Sequence, residues 1–154
     1  MQHQETVRAL AAARKDEPGG LLPALHDIQD ALGHIPSAAV PVIAGQFNLS
    51  RAEVHGVVSY YHHFRSAPAG RLLVQVCRAE ACKSMGADAL LDHAKERLGC
   101  DVHGTSADGR YSLEPVFCLG LCASSPAIAV NDEVHARVTP KLFDEIVDDA
   151  GRLA

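Results

Sequence analysis

Apolar residues first fall into helical register at Leu21, Leu25, Ile28 and Leu32, whose spacing of four, three and four places them on one helix face. Gly33 is a natural stop, because glycine accepts the left-handed backbone that closes a helix. Val40, Ile43 and Phe47 predict another stripe after Ser37, with Pro41 limiting how early its hydrogen-bond ladder begins. Ser50-Arg51-Ala52-Glu53 reads as a capping box, in which the serine hydroxyl accepts from the amide three residues on and the glutamate reaches back. A helix is therefore expected from Arg51, with Val54, Val57, Val58 and Tyr61 as its apolar stripe. Residues 3–16 carry a helical pattern through Val7, Leu10, Ala11 and Arg14, ended by Pro18-Gly19-Gly20, and this segment is expected to be peripheral. Such stripes bury only against one another, which predicts an N-terminal helical bundle over residues 1–66.

The pattern changes after Ser66-Ala67-Pro68-Ala69-Gly70, a linker by composition. Leu72-Leu73-Val74-Gln75-Val76 is a branched, apolar run that predicts a buried strand leading into Cys77. Residues 84–98 return to helical spacing through Ala87, Leu90, Leu91, Ala94 and Leu98, closed by Gly99. A short strand is expected over Cys100–His103, then a turn-rich break, then a strand from Tyr111 to Phe117 leading into Cys118. Ala127–Val130 and Val134–Val138 predict a hairpin through Asn131-Asp132-Glu133. Thr139-Pro140 then caps a last amphipathic helix carrying Leu142, Phe143, Ile146 and Val147. With the strand at 100–103 set aside as peripheral, the order is βαβ followed by ββα, with Pro126 just before the penultimate strand. That layout resembles a thioredoxin-like domain over residues 71–154, so the expected class is α+β, a helical bundle followed by such a domain.

Composition narrows the chemistry. A net charge of −5 argues against a phosphate-binding surface and predicts no nucleic-acid partner. No apolar run approaches the roughly 20 residues of a membrane span, so no membrane contact is expected. The N-terminus lacks the basic start and apolar core of an export signal, which predicts a cytoplasmic protein. In a reducing compartment five cysteines, an odd number, point to metal ligation or redox work rather than a disulfide framework.

The cysteines come as two close pairs, Cys77-x4-Cys82 and Cys118-Leu119-Gly120-Leu121-Cys122, each at the end of a predicted strand. In a binuclear iron–sulfur centre each iron takes two protein thiolates and shares two bridging sulfides, and two pairs meet that demand. Structural zinc, as in a zinc-stabilised interaction module, is the competitor, although four-cysteine zinc sites typically use two-residue knuckles. Spacers of four and three do not match the two-residue spacer of thiol–disulfide oxidoreductases. Lys83 and the amides of Ser84, Met85 and Gly86 fall at a predicted helix N-terminus, which would offset the charge of an anionic centre. Gly120 would let the second loop approach the sulfurs closely, and Ser124 or Ser125 would donate to them. Cys100, without a nearby partner, reads as a core residue. Arg78 and Glu80 read either as an influence on the centre or a partner, or as an ordinary solvated loop pair. His62 and His63, beside Tyr60, Tyr61 and Phe64, read as a half-exposed helix end before they read as a cofactor edge.

Taken together, Cys77-x4-Cys82, Cys118-Leu-Gly-Leu-Cys122, Ser125-Pro126, Val130-Asn131 and Val138-Thr139-Pro140 resemble the thioredoxin-like [2Fe-2S] subunits of NADH:ubiquinone oxidoreductase and its soluble relatives. The resemblance extends upstream through Leu22-Pro-Ala-Leu-His-Asp-Ile-Gln29, Gly33-His-Ile-Pro36 and Glu53–His62. Within that family, Arg78-Ala79-Glu80-Ala81, followed by Lys83-Ser84-Met85-Gly86, is similar to the gamma subunits of NAD-dependent, molybdenum-containing formate dehydrogenases. The resemblance implies a [2Fe-2S] cluster on Cys77, Cys82, Cys118 and Cys122 and one-electron transfer or storage beside a flavin. It also implies a beta subunit carrying FMN and the NAD site, and an alpha subunit holding the molybdenum cofactor. The same assignment extends to NADH:ubiquinone oxidoreductase or an NAD-linked hydrogenase as parent complex. No glycine-rich dinucleotide fingerprint occurs in this chain, so no complete active site is expected within it.

Overall fold

Helices α1 (Gln2–Arg14), α2 (Leu21–Leu32), α3 (Val40–Phe47) and α4 (Arg51–Tyr60), with a single 3-10 turn over Ser37–Ala39, build the first part of the chain. The computed structural model describes residues 2–153, and the chain divides into two compact units, residues 1–68 and 69–154. In the first unit Val7 of α1 shares one core with Leu25 and Ile28 of α2, Ile43 of α3 and Val54 of α4. The first helix is therefore not peripheral. Its core-facing Ala11 is fully buried, but a small residue adds little to an apolar periodicity count while allowing helices to pack closely.

Gly33 closes α2 at φ 76, its amide donating to the Gln29 carbonyl. The capping box of α4 forms as the sequence predicts: Glu53 N donates to Ser50 Oγ at 3.2 Å and Ser50 N to Glu53 Oε2 at 2.7 Å. The helix stops at Tyr60, so Tyr61 lies outside it and is 42% exposed rather than part of the stripe. A buried polar residue secures the exit: Gln29 Nε2 donates to the His63 carbonyl and Gln29 Oε1 accepts from Arg65 N, both at 2.8 Å. These bonds satisfy an amide that would be costly to bury unpaired.

The second unit is a mixed sheet covered by helices. Its strands are β1 (Leu72–Cys77), β2 (Gly104–Thr105), β3 (Tyr111–Val116), β4 (Ile128–Val130) and β5 (Glu133–His135), in the order β2-β3-β1-β4-β5. β1 runs parallel to β3 and antiparallel to β4. Alternate residues Leu72, Val74 and Val76 join Leu90, Leu91 and Ala94 of α6 (Ala87–Leu98) and Phe143 and Val147 of α7 (Pro140–Leu153) in one core.

Three local expectations differ from the structure, the first being the strand expected over Val134–Val138, which ends at His135 with Arg137 at φ 53. Cys100–His103 is a turn, because Asp101 turns the chain on itself: its side chain accepts from Val102 N, its carbonyl accepts from Gly104 N, and His103 takes φ 61. The helix expected over 84–98 begins only at Ala87, as α6, and a separate short helix, α5 (Glu80–Ser84), precedes it. Gly86 adopts φ 92, and the Met85 and Gly86 amides fold back to the Cys82 and Lys83 carbonyls.

Candidate metal centre

Parallel pairing explains why two cysteine loops distant in sequence meet. Cys77 lies opposite Val116 in the β1–β3 register, so both strands deliver their following loops to the same edge of the sheet. The pairing continues one step beyond β1, with Arg78 N donating to the Val116 carbonyl at 2.7 Å. On the other side, Cys77 N donates to the Ala127 carbonyl at 3.0 Å. Cys77 and Cys82 are buried in a small apolar cluster with Ala87 and Ala127, against which Leu119 and Leu121 of the second loop pack. Cys118 and Cys122 are exposed, their sulfurs 3.6 Å apart.

The backbone donates to the sulfurs. Gly120 N reaches Cys118 Sγ at 3.3 Å. Burial pushes the Cys77 thiol up, the Ala79 amide opposes that, and the neighbouring Cys82 adds to the rise. The Gly120 amide pulls the Cys118 thiol down, aided by the Cys122 thiol, whereas Cys122 is pushed up by sharing its hydrogen bond and charge with Cys118. Amide donors favour the thiolate over the thiol, the form in which cysteine binds a metal.

The local backbone is unusual where the second loop begins. Cys118 takes φ 148, a region that L-residues rarely occupy, at a cost of order 1–3 kcal/mol. Gly120 takes φ 79, and a Cβ built there would meet no atom within 4 Å. Its glycine is therefore required by backbone angle, not by the close approach the sequence suggests.

Of the two candidate serines, Ser125 reaches a thiol: Cys82 Sγ lies 3.6 Å from its Oγ, which donates to the Cys122 carbonyl at 2.8 Å. Ser124 contributes its backbone, its carbonyl accepting from Arg137 N. Lys83 is exposed, and the Ser84 hydroxyl donates to the Ala81 carbonyl. The Met85 and Gly86 amides are bonded to the Cys82 and Lys83 carbonyls, so neither is left free to face an anionic centre. Cys100 is half-buried at the edge of the sheet core, its thiol pushed up by burial and then by the charges of Asp101 and Asp108. His62 is exposed, and the His63 ring lies 4.9 Å from that of His26. The sulfur-directed amide of Gly120 was invisible in sequence, since a backbone donor has no residue-type signature. Ser125 was visible only as one of two adjacent serines.

Beside Cys122 a cavity of about 580 Å³ opens between Met85 and Gly86 on one side and Thr139 and Pro140 on the other. Among the described residues no three His, Cys, Asp or Glu side chains gather as a single ion requires. The thiols stand instead as two pairs, one buried and one exposed, a soft, sulfur-only set suited to a binuclear iron–sulfur cluster.

A thioredoxin-like sheet with paired cysteines at its parallel strand ends defines an iron–sulfur ferredoxin domain. The chain belongs to the thioredoxin-like [2Fe-2S] ferredoxin family, whose model matches residues 7–151, and its cofactor is a [2Fe-2S] cluster. It is 33% identical over 145 residues to the HndA subunit of the NADP-reducing hydrogenase of Solidesulfovibrio fructosivorans, covering 94% of this chain and 84% of that protein. It is 30% identical over 148 residues to an E-type subunit of the NADH-quinone oxidoreductase of Rhizobium meliloti, covering 96% and 88% respectively. In fold it matches an NAD+-reducing [NiFe]-hydrogenase crystal structure with a TM-score of 0.72 at 24% identity, over 88% of this chain and 22% of that one.

Proposed function

We propose that this chain is the [2Fe-2S] electron-transfer subunit of an oxidoreductase complex linked to a nicotinamide cofactor, with Cys77, Cys82, Cys118 and Cys122 as the cluster ligands. The observation that carries the assignment is the packing of Leu119 and Leu121 of the second loop against the buried Cys77 and Cys82, with Ser125 Oγ touching the Cys82 sulfur and donating to the Cys122 carbonyl, which ties the two cysteine loops into one site. When bound, the cluster accepts and returns one electron at a time. The chain's residues divide the rest of the work. Cys77 and Cys82 hold their side in an apolar, water-excluding pocket, and the Gly120 amide stabilises negative charge on the Cys118 sulfur. Cys118 and Cys122 leave the opposite side exposed, where an electron partner can approach.

Relatives named as subunits of an NADP-reducing hydrogenase and an NADH-quinone oxidoreductase support the broad role. A partner subunit carrying FMN and the NAD site completes it, because hydride exchange with NAD is a two-electron reaction that this cluster alone does not perform. The finer reading is the gamma subunit of a cytoplasmic, molybdenum-containing formate dehydrogenase, with the molybdenum cofactor on an alpha subunit. It is supported by Arg78-Ala79-Glu80-Ala81 in the first loop. A hydrogenase or respiratory parent is favoured instead by the names of the relatives. Purifying the tagged chain from its native cells and identifying the accompanying subunits decides between them. Formate dehydrogenase predicts a molybdenum-containing partner and formate-dependent NAD reduction; a nickel-iron or quinone-reducing partner contradicts it.

A further inference from the structure

Arg78 directly follows the buried Cys77, and its amide bond to the Val116 carbonyl fixes its backbone between the strands that feed the two cysteine loops. Its Nη2 donates to Asp88 Oδ1 at the start of α6, at 2.9 Å. The Nε of the same guanidinium is buried and has no hydrogen-bond partner among the described residues. Arg65 shares that condition, but it lies in the helical unit, where residues 1–68 contain no cysteine. An arginine keeps its charge at any ordinary pH, so a buried and unreceived N–H on it is costlier than one on a neutral amide. The Asp88 bond does not remove that demand, because Asp88 is 58% exposed and its charge is shared with water.

A cluster of two ferric ions, two sulfides and four thiolates carries a formal charge of about −2, and reduction adds one electron. We propose that Arg78, held in place by Asp88, is a positioning residue of the [2Fe-2S] centre whose Nε proton is kept for an anionic sulfur of that centre. This rests on the ligand assignment above. A charged N–H donated to sulfur stabilises the more negative, reduced state more than the oxidised one, and so raises the reduction potential. Glu80 takes no part: Arg78 pairs across to α6, not within its own loop.

The test is a redox titration of the full chain with its cluster, followed by electron spin resonance, for wild type, Arg78→Met and Arg78→Lys. Iron and acid-labile sulfide are measured on every sample. Arg78→Met removes charge and Nε proton together; Arg78→Lys keeps a charge without that proton. The expected result is a lower midpoint in both, larger for Arg78→Met. In that variant the reduced-to-oxidised ratio at the wild-type midpoint falls about tenfold, a shift of about 59 mV for one electron. The signal's g-values should move with it, which a purely structural role would not require. Midpoints and g-values unchanged in cluster-loaded variants overturn the proposal, and Arg78→Lys decides if Arg78→Met does not retain iron. A wild-type chain without iron and labile sulfide would instead overturn the ligand assignment, so the two failures are distinguishable.

Discussion

Cys118 and Gly120 show how tightly single residues set this site. Both occupy positive-φ backbone, and they are joined by the Gly120 amide to the Cys118 sulfur. Gly120→Val forces a β-branched residue into a left-handed conformation costing about 1–2 kcal/mol, with no steric clash to blame. The variant should retain less iron per chain than wild type; unchanged iron content counts against this role. Cys122→Ala should abolish the rhombic spin-resonance signal of the reduced cluster, and a wild-type signal in that variant refutes its assignment as a ligand. The cysteine pairs were legible as the ends of two strands, and the parallel β1–β3 register brings their loops together. The Gly120 amide that serves Cys118 was not legible, because a backbone donor has no residue-type signature, and Arg78 stayed open to two readings because its partner Asp88 is ten residues away.

Helix ends were legible where side chains make them and obscure where the backbone alone does. The capping box at Ser50 and Glu53 could be read directly, since both partners are side chains at fixed spacing. The break between α5 and α6 could not, because Leu90, Leu91 and Ala94 continue a helical pattern and only the angle of Gly86 interrupts it. The turn at Asp101 likewise overrode a short β-branched signal. Ser50→Ala should destabilise the helical unit by about 1 kcal/mol in chemical denaturation. The Ser50 amide, followed by its hydroxyl, holds the Glu53 carboxyl below its ordinary 4.5. A depressed carboxyl contributes stability above its unfolded value and loses it as pH falls through the folded one. Wild type should therefore lose this contribution below about pH 4.5, and Glu53→Gln, which has no carboxyl for the Ser50 amide to hold, should show a weaker acid dependence of its denaturation midpoint. Parallel acid profiles in the two proteins contradict the cap's contribution.

For the whole molecule, order of elements was more legible than their packing. The βαβ–ββα order followed from apolar runs and turn residues, and it put the two cysteine loops at one sheet edge through the parallel β1–β3 register. The role of α1 was missed because Val7 and Ala11 give a sparse stripe, although both are buried. Among the described residues no helix is long and apolar enough to cross a membrane. The family supplies the cofactor, and the cysteine geometry supplies a reason for it: two sulfur pairs, one buried and one exposed. The most direct test of this cluster assignment is the visible spectrum of the purified full chain with analysis of its bound metal and acid-labile sulfide. A red-brown protein with iron and labile sulfide in equal amounts is expected; a colourless protein holding zinc and no labile sulfide would contradict the assignment.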